Sequence, residues 1–211
     1  MAYRKTQRIE AQLADKRVRI LAAARELVSR RGFRGAGIDA VAASAGIATG
    51  TVYRYFPSKA ALLVEVVSRV SEREVEAVAA VAEAGGDGTA MLGAAVACFA
   101  RRALANRRLA YAMIVEPSDP EVEAVRLIYR RLLADVFRRA IAAGIASGEF
   151  AAQDAGIAAT CIVGALLEAL IGPLAESERD AGRTVAEIAR FCMAAVARAP
   201  DETRNRSEIM N

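Results

Sequence analysis

Along most of this chain, apolar residues recur at offsets of three and four, the spacing that lines one face of an α-helix. Ile20, Leu21, Ala24, Leu27 and Val28 share such a face and Gly32 offers a stop, which predicts a first helix over about residues 16–31. Ile38, Val41, Ala42 and Ala45 form a second, short pattern that runs into Gly46, and a third begins around Thr49 and ends before Pro57. Ser58 is placed to cap a fourth helix, whose stripe opens with Leu62, Leu63, Val66 and Val67 and continues to about Ala84. "AGGDGT" at 84–89 is the clearest break. After it the pattern predicts a fifth helix from Met91 to Leu104 and a sixth from about Arg107 to Val115, before "EPSDP" interrupts. Asp119 and Pro120 suit the start of a seventh, where Val122, Val125, Ile128, Tyr129, Leu132, Leu133, Val136, Phe137 and Ile141 keep register to near Ser147 and Gly148. An eighth is expected from Asp154 to about Leu170 and a ninth from Thr184 to Ala199. No segment alternates with period two over the length of a strand. The predicted fold is all-α, with about nine helices.

The 211 residues suffice for one large or two small domains with a real core. The longest uncharged apolar runs, 89–100 and 155–167, are shorter than the roughly 20 residues of a spanning helix, and the first residues, "MAYRKTQRIEAQ", are polar. A cytoplasmic protein without a membrane partner is therefore expected. Cys98, Cys161 and Cys192 each sit among apolar neighbours with no CxxC pair, which suggests buried free thiols. Histidine is absent, which removes Ser-His-Asp triads and HExxH zinc sites. Carboxylates occur singly on predicted helix surfaces, and no glycine-rich loop has phosphate-binding spacing. No catalytic residue, metal ligand or cofactor is expected, and an enzyme is disfavoured.

Charge adds a direction. Residues 1–60 hold twelve Lys and Arg against four Asp and Glu, a net of +8, whereas residues 61–211 carry a net of −4. A basic first quarter on a mildly acidic remainder points to a polyanion at one end, either nucleic acid or an anionic membrane surface. The two short helices across Gly46 favour nucleic acid, since they fit a helix-turn-helix, over about 37–56, whose second helix enters the major groove. That helix carries Thr49, Gly50, Thr51, Tyr53, Arg54 and Tyr55. Arginine can donate bidentately to guanine, threonine can offer a hydroxyl or a methyl, and Gly50 allows a close backbone approach. Tyr53, Tyr55 and Lys59 suit phosphates, while Val52 and Phe56 point to the core.

The stretch "ILAAARELVSRRGFRGAGIDAVAASAGIATGTVYRYFPSKAALL" resembles the DNA-binding domain of the TetR family of transcriptional regulators. The similarity covers about residues 16–64 and extends from the Ala-Ala first helix through Ala45-Gly46-Ile47 to Tyr55-Phe56-Pro57-Ser58-Lys59. Ala36 and Gly37 stand where the family usually has threonine or serine, and Ala48 and Thr49 where it usually has serine-lysine. Thr49 is therefore expected to start the third helix, and DNA contact at Gly37 to come from backbone.

The resemblance implies an effector-binding and dimerisation domain over 85–200, joined through the rest of the fourth helix at 65–84, with flexible tails at 1–15 and 201–211. It implies a homodimer on palindromic double-stranded operator DNA, acting as a repressor released by a small-molecule effector. Phe99, Arg102, Met113, Tyr129, Leu133, Cys161, Ile162 and Glu168 are the candidate effector-binding residues, on the apolar faces of the expected pocket helices or interrupting them with a polar group. Glu168 is the foremost, because a carboxylate in so apolar a helix needs a partner. Gly164, Ala165, Ala169 and Gly172 allow close helix approach, and the eighth and ninth helices are the expected dimer bundle. The alternative is a helical interaction module whose basic N-terminus binds anionic surfaces non-specifically.

Overall fold

A computed structural model describes residues 2–176 and 180–198, with side chains from residue 13 onward. The expected tail at 201–211 lies outside the described residues. Among them, nine helices account for the fold: α1 Ala2–Gly35, α2 Ile38–Ala45, α3 Thr49–Tyr55, α4 Lys59–Ala82, α5 Gly88–Ala105, α6 Arg107–Ile114, α7 Pro120–Ser147, α8 Ala155–Ala175 and α9 Ala181–Ala194. An isolated antiparallel bridge joins Phe150 to Ala197, so the chain around the expected end of the ninth helix is drawn into pairing instead.

Most boundaries follow local chemistry. Ser58 accepts the Ala61 N–H, Asp87 the Ala90 N–H and Asp154 the Ile157 N–H, capping α4, α5 and α8. Gly46 takes the left-handed conformation (φ 65°) and its N–H reaches the last carbonyls of α2, turning the chain into α3. Several ends differ from expectation: Asp87 and Asp180 start α5 and α9 three residues early, and α9 stops at Ala194. Helix α1 begins at Ala2, so the supposed tail at 1–15 is helical from residue 2; Ala, Gln, Glu, Lys and Arg there are good helix formers whether or not they bury anything. Helix α8 continues past Leu170 and through Pro173 to Ala175, because Leu170, Pro173 and Leu174 extend its buried stripe.

Two apolar cores result. One joins Ile20, Val28, Phe33, Val41, Val52, Phe56, Leu62 and Val66 from α1 to α4 with Leu109, Ala112 and Val122 from α6 and the start of α7. The other is built from α5, α7, α8, α9 and the C-terminal part of α4 around Leu92, Phe137, Ile141, Leu166 and Leu170. Helix α4 and the α6–α7 region therefore contribute to both cores. Cys98 and Cys192 are buried, as expected, and burial pushes the Cys192 thiol up to about 11; Cys161 is exposed, which corrects the expectation for that residue.

Helix α8 is, by length and composition, apolar enough to cross a membrane, although 44% of its most apolar window is buried against the rest of the chain. Its packing against α5, α6, α7 and α9 makes it a core helix on one side. The other side is the small-residue face.

Candidate nucleic-acid interface and effector cavity

Helix α3 divides cleanly by face. Val52 and, just after the helix, Phe56 are buried in the N-terminal core, with Arg17 stacked over the Phe56 ring at 4.7 Å. Gly50, Tyr53 and Arg54 face outward, and Tyr53 is 51% exposed. A Cβ built on Gly50 or Gly37 would meet nothing within 4 Å, so the backbone at both is open to a large partner. Thr51 and Lys59 are half-buried beside this face. Tyr55 is also half-buried and packs on the N-terminal core, which limits it to presenting its edge.

The start of α3 is held in an unanticipated way. Ala48 occupies the N-cap without a side-chain bond, and the Thr49 hydroxyl donates to Asp39 Oδ1 at 2.8 Å. Thr49 thus ties α3 to α2 and does not cap its own helix. Arg19 donates to the Ala45 carbonyl at 2.7 Å, closing the end of α2, and Arg17 pairs with Glu65 on α4 at 3.1 Å. These bonds seat the α2–α3 pair on α1 and α4.

A cavity of about 310 Å³ lies between α1, α4, α5, α6, α7 and α8. Of the candidate effector-binding residues, Phe99, Arg102, Met113, Tyr129 and Leu133 line it together. The other three do not. Ile162 is buried in the C-terminal core away from the cavity, and Cys161 and Glu168 are exposed on the outer face of α8. Their separation follows from helix geometry: Cys161, Gly164 and Glu168 share one stripe, whereas Leu167 beside it turns inward to the cavity. Glu168 therefore satisfies its charge in solvent. Gly164 and Ala169 are exposed and Ala165 and Gly172 half-buried, on the same side as exposed Ile157; Phe191 of α9 is exposed as well.

The cavity wall is rich in arginine. Arg102 forms a bidentate pair with Glu74, donating through Nε at 2.6 Å and Nη2 at 3.0 Å, and the Glu74 bond raises the Arg102 pKa. Tyr129 donates to Glu72 Oε1 at 2.8 Å; partial burial and that carboxylate push its pKa up. Arg126 is 6% exposed. Its guanidinium donates to Glu123 at 2.5 Å and to the carbonyls of Ala112 and Glu116 at 2.6 and 3.0 Å, while Nε is buried with no hydrogen-bond partner. Burial pushes its pKa down, against the pull of Glu123 and together with the like charge of Arg130.

Arg126 also connects the cavity to α1. It stacks over the Phe33 ring at 5.2 Å, and the Phe33 N–H donates to Glu116 Oε2 at 2.8 Å, across 83 residues of sequence. Arg108 pairs with the same Glu116 carboxylate at 2.7 Å. Gly32 (φ 68°) breaks α1 at this point, and a Cβ there would lie 2.2 Å from Glu116 Oε1. The break is the stop that the sequence pattern anticipates, but the carboxylate that fills it comes from the α6–α7 turn.

Arg126 was legible in part, since it shares the buried stripe of α7 with Val122, Leu133 and Phe137, where a charge is out of place. The cavity arginines Arg25, Arg73 and Arg130 carry no such signal, because each sits at a helix position that also reads as solvated surface.

The family described as bacterial regulatory proteins, tetR family, matches residues 20–66, from mid-α1 to α4. The transcriptional repressor KstR of Rhodococcus jostii is 48% identical over 59 residues, which are 28% of this chain and 28% of KstR. The match to the curated relatives thus spans under a third of their length. The whole fold is similar to that of the transcriptional regulator FadR from Bacillus subtilis, solved in complex with stearoyl-CoA, with a TM-score of 0.74 at 18% identity over 85% of this chain and 98% of that one. A TetR/AcrR-family regulator from Thermobifida fusca is 25% identical over 87% of this chain and 100% of that one, with a TM-score of 0.67. Residues 20–66 thus match the tetR family of bacterial regulatory proteins, and along most of its length the chain has a fold similar to that of a TetR/AcrR-family regulator.

Proposed function

We infer that the chain is a homodimeric transcriptional repressor that binds a palindromic operator through α3 and lets it go when a small molecule occupies the cavity. The observation that carries this reading is the division of α3, which buries Val52 and keeps Gly50, Tyr53 and Arg54 outward in the segment that matches the family. Residues 16–64 act as the reading head and 85–200 as the effector and dimer domain, with α4 between them. Arg54 reads a base, while Tyr53, Lys59 and backbone at Gly37 and Gly50 hold phosphates. Two copies of α3 meet successive major grooves about 34 Å apart, or a multiple of that. A second copy of the chain covers the α8 and α9 faces, and the protein works in the cytoplasm.

The carboxylate of Glu116 carries the coupling. It holds Arg108 and the Phe33 N–H, and its own backbone carbonyl is held by Arg126 on the cavity wall. A ligand that shifts Arg126 or α6 pulls on the end of α1, and with it on the seat of α2 and α3. Only a ligand with unequal affinity for the two settings can act this way.

The test uses the DNA flanking the protein's own gene. Fluorescence anisotropy should show tighter binding to a palindromic site than to random DNA of the same length. Arg54→Ala should cost about 1–3 kcal/mol at that site and relax discrimination at one base pair. Equal affinity for palindromic and random DNA would sink the reading.

A further inference from the structure

We propose that the cavity takes an anionic amphiphile, with a carboxylate or phosphate-type head group at the Arg126–Arg130 corner of α7 and an apolar body along Phe99, Met113, Leu133 and Leu167. The proposal rests on the cavity being the effector site and names the chemistry of what enters it.

Charge balance gives the sign. Five arginines line the cavity, Arg25, Arg73, Arg102, Arg126 and Arg130, against one carboxylate, Glu74. That carboxylate already has both oxygens on Arg102, so it offers little to a cationic ligand. Among the described residues no carboxylate pairs with Arg25, Arg73 or Arg130. Arg126 and Arg130 lie one helical turn apart on α7, on the same face, and Arg130 is near enough to oppose the Arg126 charge. Two like charges held together at a low-dielectric wall favour an anion between or beside them.

The buried donor gives the place. Arg126 Nε–H is buried without an acceptor, a state that is costly for an ordinary polar group and more so for a charged one. The protein supplies acceptors to both terminal nitrogens of the guanidinium, from Glu123, Ala112 and Glu116, and none to Nε. Nε is closed off as the side chain stands, so a ligand oxygen becomes its acceptor only as Arg126 turns toward the cavity, and the exposed charge of Arg130 draws the anion to that corner. The remaining wall is apolar, with Val70, Val75, Ala103, Leu109, Ala110 and Ile114 continuing the surface beside the four side chains that take the body. A head group alone would leave that surface wet, and an apolar body alone would leave Arg25, Arg73 and Arg130 without a counter-charge.

The experiment is calorimetric titration of the full chain, without DNA, with decanoate, decyl phosphate, 1-decanol and decylamine below their micelle concentrations. At least one anion should bind about tenfold or more tightly than the alcohol and the amine, as a charge-assisted hydrogen bond warrants. The tighter of the two anions identifies the head group as carboxylate or phosphate. Arg130→Gln, at an exposed position, should remove about tenfold of the anion's affinity and leave the alcohol's unchanged, with an unaltered melting curve to show that the fold is intact. Alcohol or amine binding as tightly as the anions, no binding of either anion, or an anion preference that survives Arg130→Gln would each overturn the proposal. Because no DNA is present, the result is separate from the repressor reading: anions that bind but leave DNA affinity unchanged would support the ligand class and remove its role as effector.

Discussion

At the scale of single residues, the chain depends on a few positions where one atom more or less decides the outcome. Gly32 combines a left-handed backbone with a carboxylate and a guanidinium packed where its side chain would be. Gly32→Ala should cost about 1–3 kcal/mol from the backbone alone, since φ 68° with ψ −173° is essentially restricted to glycine, and more from displacing Glu116. Urea denaturation measures the loss, and weaker DNA binding by the still-folded variant would place that loss at the α1 contact. Thr49 shows how a residue can be placed correctly and still be used differently. Its position at the start of α3 followed from the sequence, but its hydroxyl is taken by Asp39, ten residues earlier, because the tight Gly46 turn brings the start of α2 against the start of α3. Glu168 is the reverse case, a carboxylate that looked costly in an apolar helix and proves to be on its solvent side.

At the scale of elements, some helix ends are held by side chains from elsewhere as well as by their own caps. Glu149, just past α7, accepts the N–H groups of Gly88 and Thr89 at 3.2 and 2.9 Å and also bonds Ser147, and these bonds hold its pKa at about 2, against an ordinary 4.5. A carboxylate with a lowered pKa stabilises the fold above the unfolded value, and that contribution fades as pH falls through the folded one. Glu149→Gln should therefore melt at a lower temperature than the parent at pH 7. The difference should shrink as pH falls from 4.5 and close near 2, which thermal melts across that range would read. Helix α8 belongs to this scale too. Its inner stripe of Ile162, Leu166, Leu170 and Leu174 was visible as period, but the side on which Cys161, Gly164 and Glu168 fall depends on where α7 and α9 press against it.

At the scale of the molecule, the two apolar cores share α4 and the α6–α7 region, so a change at the cavity and a change at the proposed DNA-facing end are mechanically connected. The proposed dimerisation belongs here as well. Ile157 is 67% and Phe191 63% exposed on the outer faces of α8 and α9, with Gly164 and Ala169 between helix turns that a second helix can approach. Ile157→Glu should shift the protein from dimer to monomer in sedimentation equilibrium, because a buried, unpaired carboxylate is costly. The same variant should bind a full palindrome no better than a half-site. A dimer unaffected by that charge would move the interface elsewhere.

The sequence by itself determined the helical period, the turn at Gly46, the stop at Gly32, the starts of α4 at Ser58 and α8 at Asp154, and the division of α3 into a core face and an outward face. Each of these is a local matter, settled by spacing within one or two turns and by backbone or capping preferences of the residues concerned. Only the tertiary structure decided that Phe99, Arg102, Met113, Tyr129 and Leu133 meet Arg25, Arg73, Arg126 and Arg130 around one cavity, and that Glu116 reaches back to Phe33. Those groupings join residues from five helices and contacts across 83 positions. They depend on the angles at which helices cross and the rotation of each about its axis, which packing of whole faces sets and no local pattern encodes.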